Sequence, residues 1–207
     1  MNTAGATSAP PELDYTSEVW RKLLHLFALV IPIGYHFVPR AIAVACVVFA
    51  FLVSLLIDLA RLRSWPIQKL WLPVVAPIVR PKESHAFTGA SHILLSGWLC
   101  PLLFSVPAAS LAMTCIILGD SAAALVGRRW GSHRYSNGSR SLEGSTAFFL
   151  ASIIAALVVP GIPLWIGLAG ALLATVVEAL STRVDDNLSV PLLVGLFAQL
   201  SLRFYAG

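Results

Sequence analysis

The sequence predicts an all-α fold, a polytopic bundle of about seven transmembrane helices. Three observations lead there. The chain of 207 residues is 57% hydrophobic and 12% charged, too apolar for a soluble domain of that size. Several segments reach the roughly 18–20 apolar residues that a bilayer crossing requires. The charges that remain collect between alternate segments, which is how a helical membrane protein records its orientation.

Hydropathy and turn residues place the spans at 20–38, 41–60, 87–105, 108–127, 145–160, 162–181 and 189–205. Very short connections at Val38-Pro39-Arg40, Ser105-Val106-Pro107 and Pro160-Gly161-Ile162-Pro163 make tight antiparallel hairpins. An odd number of spans puts the N-terminus, 61–86, 128–144 and 182–188 on one side. That side then holds twelve of the fourteen Lys and Arg residues, leaving Arg40 and Arg203 opposite. All ten acids lie on it or within a few turns of it. So strong a bias predicts that this side is cytoplasmic. Residues 1–17 read as a flexible polar tail without the basic start of a signal peptide, and 18–207 as one integral membrane domain. Within it, 64–83 stands apart. Trp65 and Trp71 suit the headgroup level, and Pro66, Pro73, Pro77 and Pro81 break any long helix. This segment reads as interfacial or partly re-entrant.

Composition also excludes. Cys46, Cys100 and Cys115 sit in apolar surroundings at unrelated spacings, so neither a disulfide framework nor a zinc site follows. The net charge of +4 does not point to nucleic acid, because the basic residues are scattered between apolar spans. Small-residue faces suit packing within one chain and between chains alike, so the sequence leaves homo-oligomerisation open.

The stretch that carries chemistry runs from Leu118 to Thr146. Asp120 is the one acid in an apolar run from Ala108 to Val126, and an acid in a membrane-length segment is costly unless it has a function. Asp120, Ala123, Ala124 and Gly127 fall at i, i+3, i+4 and i+7, one helix face built from a carboxylate and small neighbours. Gly127-Arg128-Arg129-Trp130-Gly131 then brings guanidinium groups and glycines, residue types that suit phosphate oxygens. A polar loop closes on Arg140-Ser141-Leu142-Glu143-Gly144. A plainer reading stands beside this one: small residues also make a packing seam, and arginines at a helix end also signal topology.

This ordered set resembles the proposed CTP-binding motif of the dolichol kinase, phytol/farnesol kinase and yeast-type diacylglycerol kinase group. That motif runs Asp-x-x-Ala-x-x-x-Gly-x-x-x-Gly, a spacer, then Lys-Lys-Thr-x-Glu-Gly. Asp120, Ala123, Gly127 and Gly131 match its first half, and Glu143 and Gly144 its end. Ser139-Arg140-Ser141 stands in place of Lys-Lys-Thr, and the spacer is one residue shorter. Three further blocks resemble the same family. Glu18, Arg21, Lys22 and His25 share one helix face, which by itself suits an interfacial cap of cations. Thr88-Gly89-Ala90 is short, with Glu83, Thr88 and His92 as minor candidates. Glu178 with Asp185-Asp186-Asn187 and Pro191 closes the set, although these residues also suit an N-cap for the last span. Ser145 reads as the N-cap of the fifth span, and Asp58 as an acid near the surface paired with a neighbouring arginine.

The resemblance implies an integral membrane kinase whose site faces the cytoplasm. It would move the terminal phosphate of CTP to the hydroxyl of a lipid alcohol (polyprenol or dolichol, phytol or farnesol, or diacylglycerol) with Mg²⁺ or Mn²⁺. Phosphoryl transfer needs cations and N–H donors on the phosphates, carboxylates for the metal and a group to take the proton. Asp120 and His25 are the catalytic candidates. Arg21, Lys22, Gly127, Arg128, Arg129, Gly131, Arg140, Ser141, Glu143 and Gly144 are the nucleotide-binding candidates. Asp120, Glu143, Glu178, Asp185, Asp186 and Asn187 are the metal candidates. Two other readings compete. A cytidylyltransferase resembling CDP-diacylglycerol synthase would share the Gly-Asp...Gly-Arg...Gly...Glu-Gly cadence. A transporter would carry charge at the bilayer midplane, whereas the ionisable residues here crowd one interface.

Overall fold

The computed structural model describes residues 15–66, 69, 85–181 and 184–206. The expected tail up to residue 14, nearly all of the 64–83 segment, and Glu83 lie outside the described residues. Eight α-helices are described: α1 (Tyr15–Phe27), α2 (Val30–Phe37), α3 (Arg40–Leu62), α4 (Gly89–Leu103), α5 (Val106–Trp130), α6 (Leu142–Val158), α7 (Leu164–Leu180) and α8 (Asp186–Ala206). Between α5 and α6 lies a small antiparallel hairpin, β1 (Arg134–Tyr135) and β2 (Arg140–Ser141). The hairpin is a departure from the expected polar loop. Ser136-Asn137-Gly138 is the turn signal that announces it, and Gly138 takes a φ of +82° there.

The fold is all-α in its main elements. α3, α5 and α8 are long and apolar enough to cross a membrane, and α4, α6 and α7 are shorter apolar helices. Six of the expected spans meet one helix each. The first, 20–38, does not: it divides into α1 and α2, and α1 opens three residues inside the expected tail. Pro32 accounts for the break. Its ring lacks an N–H and would clash with the Ala28 carbonyl one turn earlier. The backbone tightens instead, with Ala28 donating to the His25 carbonyl and Leu29 to the Leu26 carbonyl, both at 3.0 Å.

α5 is the central helix. It touches α1, α2, α4, α6, α7 and α8, and Ala108, Ala109, Leu111, Ala112, Met113, Cys115, Ile116 and Ile117 along it are fully buried. α3 sits at the periphery, with Phe49, Leu52 and Leu56 each more than half exposed. That is the surface a lipid-facing helix presents. Small residues let the helices approach closely. A Cβ on Gly119 would lie 2.7 Å from the Phe148 ring, and one on Gly167 2.6 Å from Ala156 Cβ. Cys100 and Cys115 are buried, Cys46 is exposed, and all three are free thiols.

Two prolines inside helices tie the bundle together. Pro101 cannot donate to the Gly97 carbonyl one turn back, and Tyr35 Oη donates to that carbonyl instead. Pro191 likewise releases the Asn187 carbonyl, which accepts from Ser96 Oγ at 2.5 Å. The first bond joins α2 to α4 and the second joins α4 to α8.

The α6–α7 crossing gives a direct test of this packing. Gly167→Val forces a branched side chain against the Ala156 backbone, whose Cα lies 2.9 Å from the Cβ position. Overpacking of this kind costs about 1–3 kcal/mol. Thermal unfolding of the purified variant in detergent should show a lowered midpoint.

Candidate functional site

The helix face formed by Glu18, Arg21, Lys22 and His25 turns inward onto α5. Glu18 and Lys22 have no exposed surface, and a charge so placed must be paired. Lys22 Nζ donates to Asp120 Oδ2, and His25 Nε2 lies 3.5 Å from the same oxygen. Arg21 holds Glu18 through Nε at 3.2 Å and through a closer Nη2 contact. Two turns beyond Asp120, Arg128 Nη2 lies 3.8 Å from Glu18 Oε2, the oxygen that Arg21 Nε also holds. α1 and the end of α5 are therefore joined by charge.

Arg140 reaches the same end of the bundle from β2. The hairpin pairs Tyr135 with Arg140 and Arg134 with Ser141, and Tyr135 Oη meets Ser145 Oγ at 2.5 Å. So held, Arg140 Nε donates to Glu178 Oε1 at 2.7 Å, and its Nη2 lies 3.6 Å from Asp186 Oδ2. Among the described residues the cluster thus contains Arg21, Lys22, Arg128 and Arg140 against Glu18, Asp120, Glu178 and Asp186, and its formal charges cancel.

Several expected site residues stand elsewhere. Gly127, Gly131 and Gly144 face one another and Ser141. A Cβ on Gly131 would lie 2.2 Å from the Gly127 carbonyl oxygen, and one on Gly144 3.1 Å from the Ala123 carbonyl oxygen. The close approach these glycines permit is that of α5 to α6. Ser141 is the N-cap of α6, its Oγ accepting from the Gly144 N–H at 3.1 Å. The expected cap, Ser145, is bonded to Tyr135 instead. Arg129 points away from Arg128, since consecutive helical residues diverge by about 100°, and its guanidinium sits 5.4 Å from the Trp130 ring centroid.

Glu143, expected in the metal set, has partners of its own across the loop. At the first turn of α6 it reaches back over the loop, accepting from Ser132 Oγ at 2.6 Å and from the His133 backbone N–H at 3.2 Å. His133 Nδ1 lies 2.7 Å from its Oε1. The Ser132 bond first, then that of His133, holds this carboxyl well below the usual carboxylate range. Ser132 and His133 were not among the candidates, because nothing in their spacing marks them as partners of Glu143.

Asp185 caps α8. Its Oδ1 accepts from the Asn187 backbone N–H at 3.0 Å and from Asn187 Nδ2 at 2.9 Å, and its Oδ2 lies 4.0 Å from His92 Nδ1. Asn187 is nearly fully buried.

Comparison with known proteins bears on this geometry. The chain is 33% identical over 190 residues to a protein of Rickettsia prowazekii named only as uncharacterized, covering 86% of this chain and 92% of that one. It is 26% identical over 197 residues to a protein of Schizosaccharomyces pombe named CTP-dependent diacylglycerol kinase 1, covering 84% and 88%. Over 117 residues it is 34% identical to a dolichol kinase of the same yeast, covering 49% of this chain and 23% of that one. The chain belongs to the family of CTP-dependent lipid kinases. No family model matches the chain, and no solved structure matches it.

In a lipid kinase of this kind the fit of a divalent ion can be judged from the oxygens. Among the described residues no three His, Cys, Asp or Glu side chains gather into a ready metal cage. Two buried oxygens, Glu178 Oε2 and Asn187 Oδ1, have no hydrogen-bond partner among the described residues. Both are hard donors next to Asp186. Mg²⁺ takes one or two carboxylates, several waters and substrate phosphates rather than a full protein cage. The residues therefore fit such an ion.

The Glu143 contacts have a testable pH dependence. A carboxyl lowered on folding stabilises the native loop at pH above the ordinary carboxylate range, and that contribution is lost only as pH falls through the lowered value. Hydrogen exchange at the His133 amide should stay slow from pH 7 to pH 5. In Glu143→Gln the same amide should exchange faster already at pH 7.

Proposed function

We propose that the chain is an integral membrane kinase that transfers the terminal phosphate of CTP to the hydroxyl of a lipid alcohol at the cytoplasmic interface. The observation that carries this reading is the neutral cluster in which Arg21, Lys22, Arg128 and Arg140 are held by Glu18, Asp120, Glu178 and Asp186. Cations held by acids in a resting site can pass to phosphate oxygens, and the acids they leave can turn to a divalent ion. The charge bias supports seven crossings with a cytoplasmic N-terminus, α1 and α2 together making the first.

The chemistry then follows from the residues. Arg140 and Arg128 bind and orient the nucleotide phosphates, as charge-assisted donors. Glu178, Asp186 and Asn187 offer oxygens to Mg²⁺, which when bound neutralises charge on the transferring phosphate. The acceptor oxygen bonds to the terminal phosphorus, the bond from that phosphorus to the bridging oxygen breaks, and CDP leaves. Asp120 Oδ2, oriented by Lys22, takes the hydroxyl proton, with His25 Nε2 placed beside the same oxygen. Relatives named for diacylglycerol and dolichol support an acceptor whose tail lies in the bilayer and whose hydroxyl sits at the interface.

The deciding assay uses purified protein in detergent with Mg²⁺, γ-labelled CTP or ATP, and dioleoylglycerol, farnesol, phytol or a long polyprenol. Label should pass from CTP to one of these lipids. With phosphatidic acid supplied as the acceptor instead, formation of CDP-diacylglycerol with release of pyrophosphate would replace this reading with a cytidylyltransferase.

Two residue-level outcomes follow. Asp120→Asn should lower turnover by roughly 10²–10⁴-fold, the worth of a general base, with the helical fold retained by circular dichroism and the thermal midpoint lowered, because Lys22 loses a charged partner. Arg128→Ala and Arg140→Ala should each raise KM for CTP about ten- to hundredfold, the worth of one charge-assisted hydrogen bond. Arg129→Ala should stay near the parent value, since its guanidinium lies over Trp130.

A further inference from the structure

Asp58 lies near the end of α3 and is 1% exposed. It pairs with the neighbouring Arg61, at 3.2 Å, as expected, and it makes further contacts that its place before Arg61 and Arg63 does not announce. Its Oδ2 accepts three bonds, all from the start of α4: the Thr88 backbone N–H at 2.8 Å, Thr88 Oγ1 at 3.0 Å and Ser91 Oγ at 2.7 Å. Its neighbours on the same face of α3 support the grip. Ser54 Oγ meets Ser91 Oγ at 2.8 Å, and Arg61 Nη2 donates to the Ala86 carbonyl at 2.5 Å. Thr88 occupies the N-cap position of α4, yet its own side chain makes no capping bond. A carboxylate from another helix takes the backbone N–H of the cap residue, the bond that a Glu or Gln three residues on makes in a capping box.

The start of α4 in turn holds the start of α8. His92 sits one turn beyond Thr88, with its Nδ1 3.0 Å from the Thr88 carbonyl and 4.0 Å from Asp185 Oδ2. One turn further, Ser96 Oγ donates to the Asn187 carbonyl at 2.5 Å, the carbonyl that Pro191 leaves without its helical partner. Asp185, Asp186 and Asn187 therefore stand where α4 places them, and Asp58 sets where α4 begins.

We infer that Asp58 is a positioning residue for the acidic start of α8. Acting through Thr88, Ser91 and Ser96, it fixes Asp186 and Asn187 for a divalent cation. The inference rests on the proposed use of those two side chains as metal donors. Groups that orient metal donors without touching the metal commonly change its affinity by about 10–100-fold, and Asp58 stands in that relation through one helix.

The test uses the full chain in detergent and Mn²⁺ as probe, with Mn²⁺ binding read by electron paramagnetic resonance in the presence of CDP. Asp58→Ala and Ser96→Ala should both weaken Mn²⁺ about tenfold, while KM for CTP at saturating metal stays within twofold of the parent. Asp58→Asn keeps an acceptor for the Thr88 N–H and should fall between Asp58→Ala and the parent; it also carries the test should Asp58→Ala fail to fold. Asp186→Ala is the control. If Asp186→Ala weakens Mn²⁺ but the Asp58 and Ser96 variants do not, the positioning role is overturned and the metal reading stands. If Asp186→Ala leaves Mn²⁺ binding unchanged, the metal reading falls and takes the inference with it. Lower thermal stability with unchanged Mn²⁺ affinity in the Asp58 variants would mark Asp58 as a structural latch alone.

Discussion

A lysine with no exposed surface sets the terms for the rest of the molecule. Lys22 can remain charged inside the bundle only because the Asp120 carboxylate meets it. Removing two ions from water costs several kcal/mol for each, and their attraction repays this only when geometry and further hydrogen bonds are good. Such a pair adds little to stability. Breaking one partner, however, leaves an uncompensated buried charge at about 3–5 kcal/mol. The register of α1 against α5 is therefore strongly specified. Glu18, also without exposed surface, repeats the constraint a turn away through Arg21 and Arg128. Arg140 extends it to α7 and α8. One end of the bundle consequently carries three groups of ion pairs, on α1 with α5 and on β2 with α7 and α8, and the elements that carry them converge because none of these charges can be left alone.

Backbone carbonyls released by proline work alongside the ions. An apolar medium offers no water to an unpaired carbonyl, so each one must find a donor inside the protein. Tyr35 meets the carbonyl that Pro101 releases and Ser96 the one that Pro191 releases. These bonds join helices that small apolar residues alone would pack without direction. Pro191 is thus more than a helix-start residue: the vacancy it creates is what couples α4 to the acids at the head of α8.

Much of this was legible in the sequence, and the gaps have a common cause. Apolar length located six helices, and the Glu18, Arg21, Lys22, His25 spacing correctly grouped four residues on an inward face. The isolation of Asp120 in an apolar run marked it, and it lies at the centre of the charge cluster. Spacing along one helix gives an angle about that helix; it does not say what lies opposite. The glycines of the Asp120 motif looked like a place for phosphate to approach, and what lies against them is the Gly127 carbonyl, Ser141 and the start of α6. Glu143 looked like a fellow of Asp120, and its partners are Ser132 and His133 across a hairpin whose turn was visible as Ser136-Asn137-Gly138. Arg128 and Arg129 are adjacent in sequence, and a single helical step sends one to Glu18 and the other to Trp130. Asp58 was read from its near neighbours Arg61 and Arg63, and its decisive partners lie thirty residues on. The break in the first span is the exception, since Pro32 was in plain view.

The cancellation of charge within the cluster has a kinetic meaning. A cleft lined by one sign of charge draws an oppositely charged ligand from a distance and speeds encounter, by an amount that falls steeply with salt. Four cations answered by four acids present almost no such field beyond about one Debye length, roughly 8 Å at physiological ionic strength. Any long-range pull on a polyanion at this face therefore comes from basic residues outside the cluster, such as the exposed Arg63, Arg129 and Arg134. Within the cluster recognition begins at contact, where individual guanidinium groups can trade one oxygen partner for another.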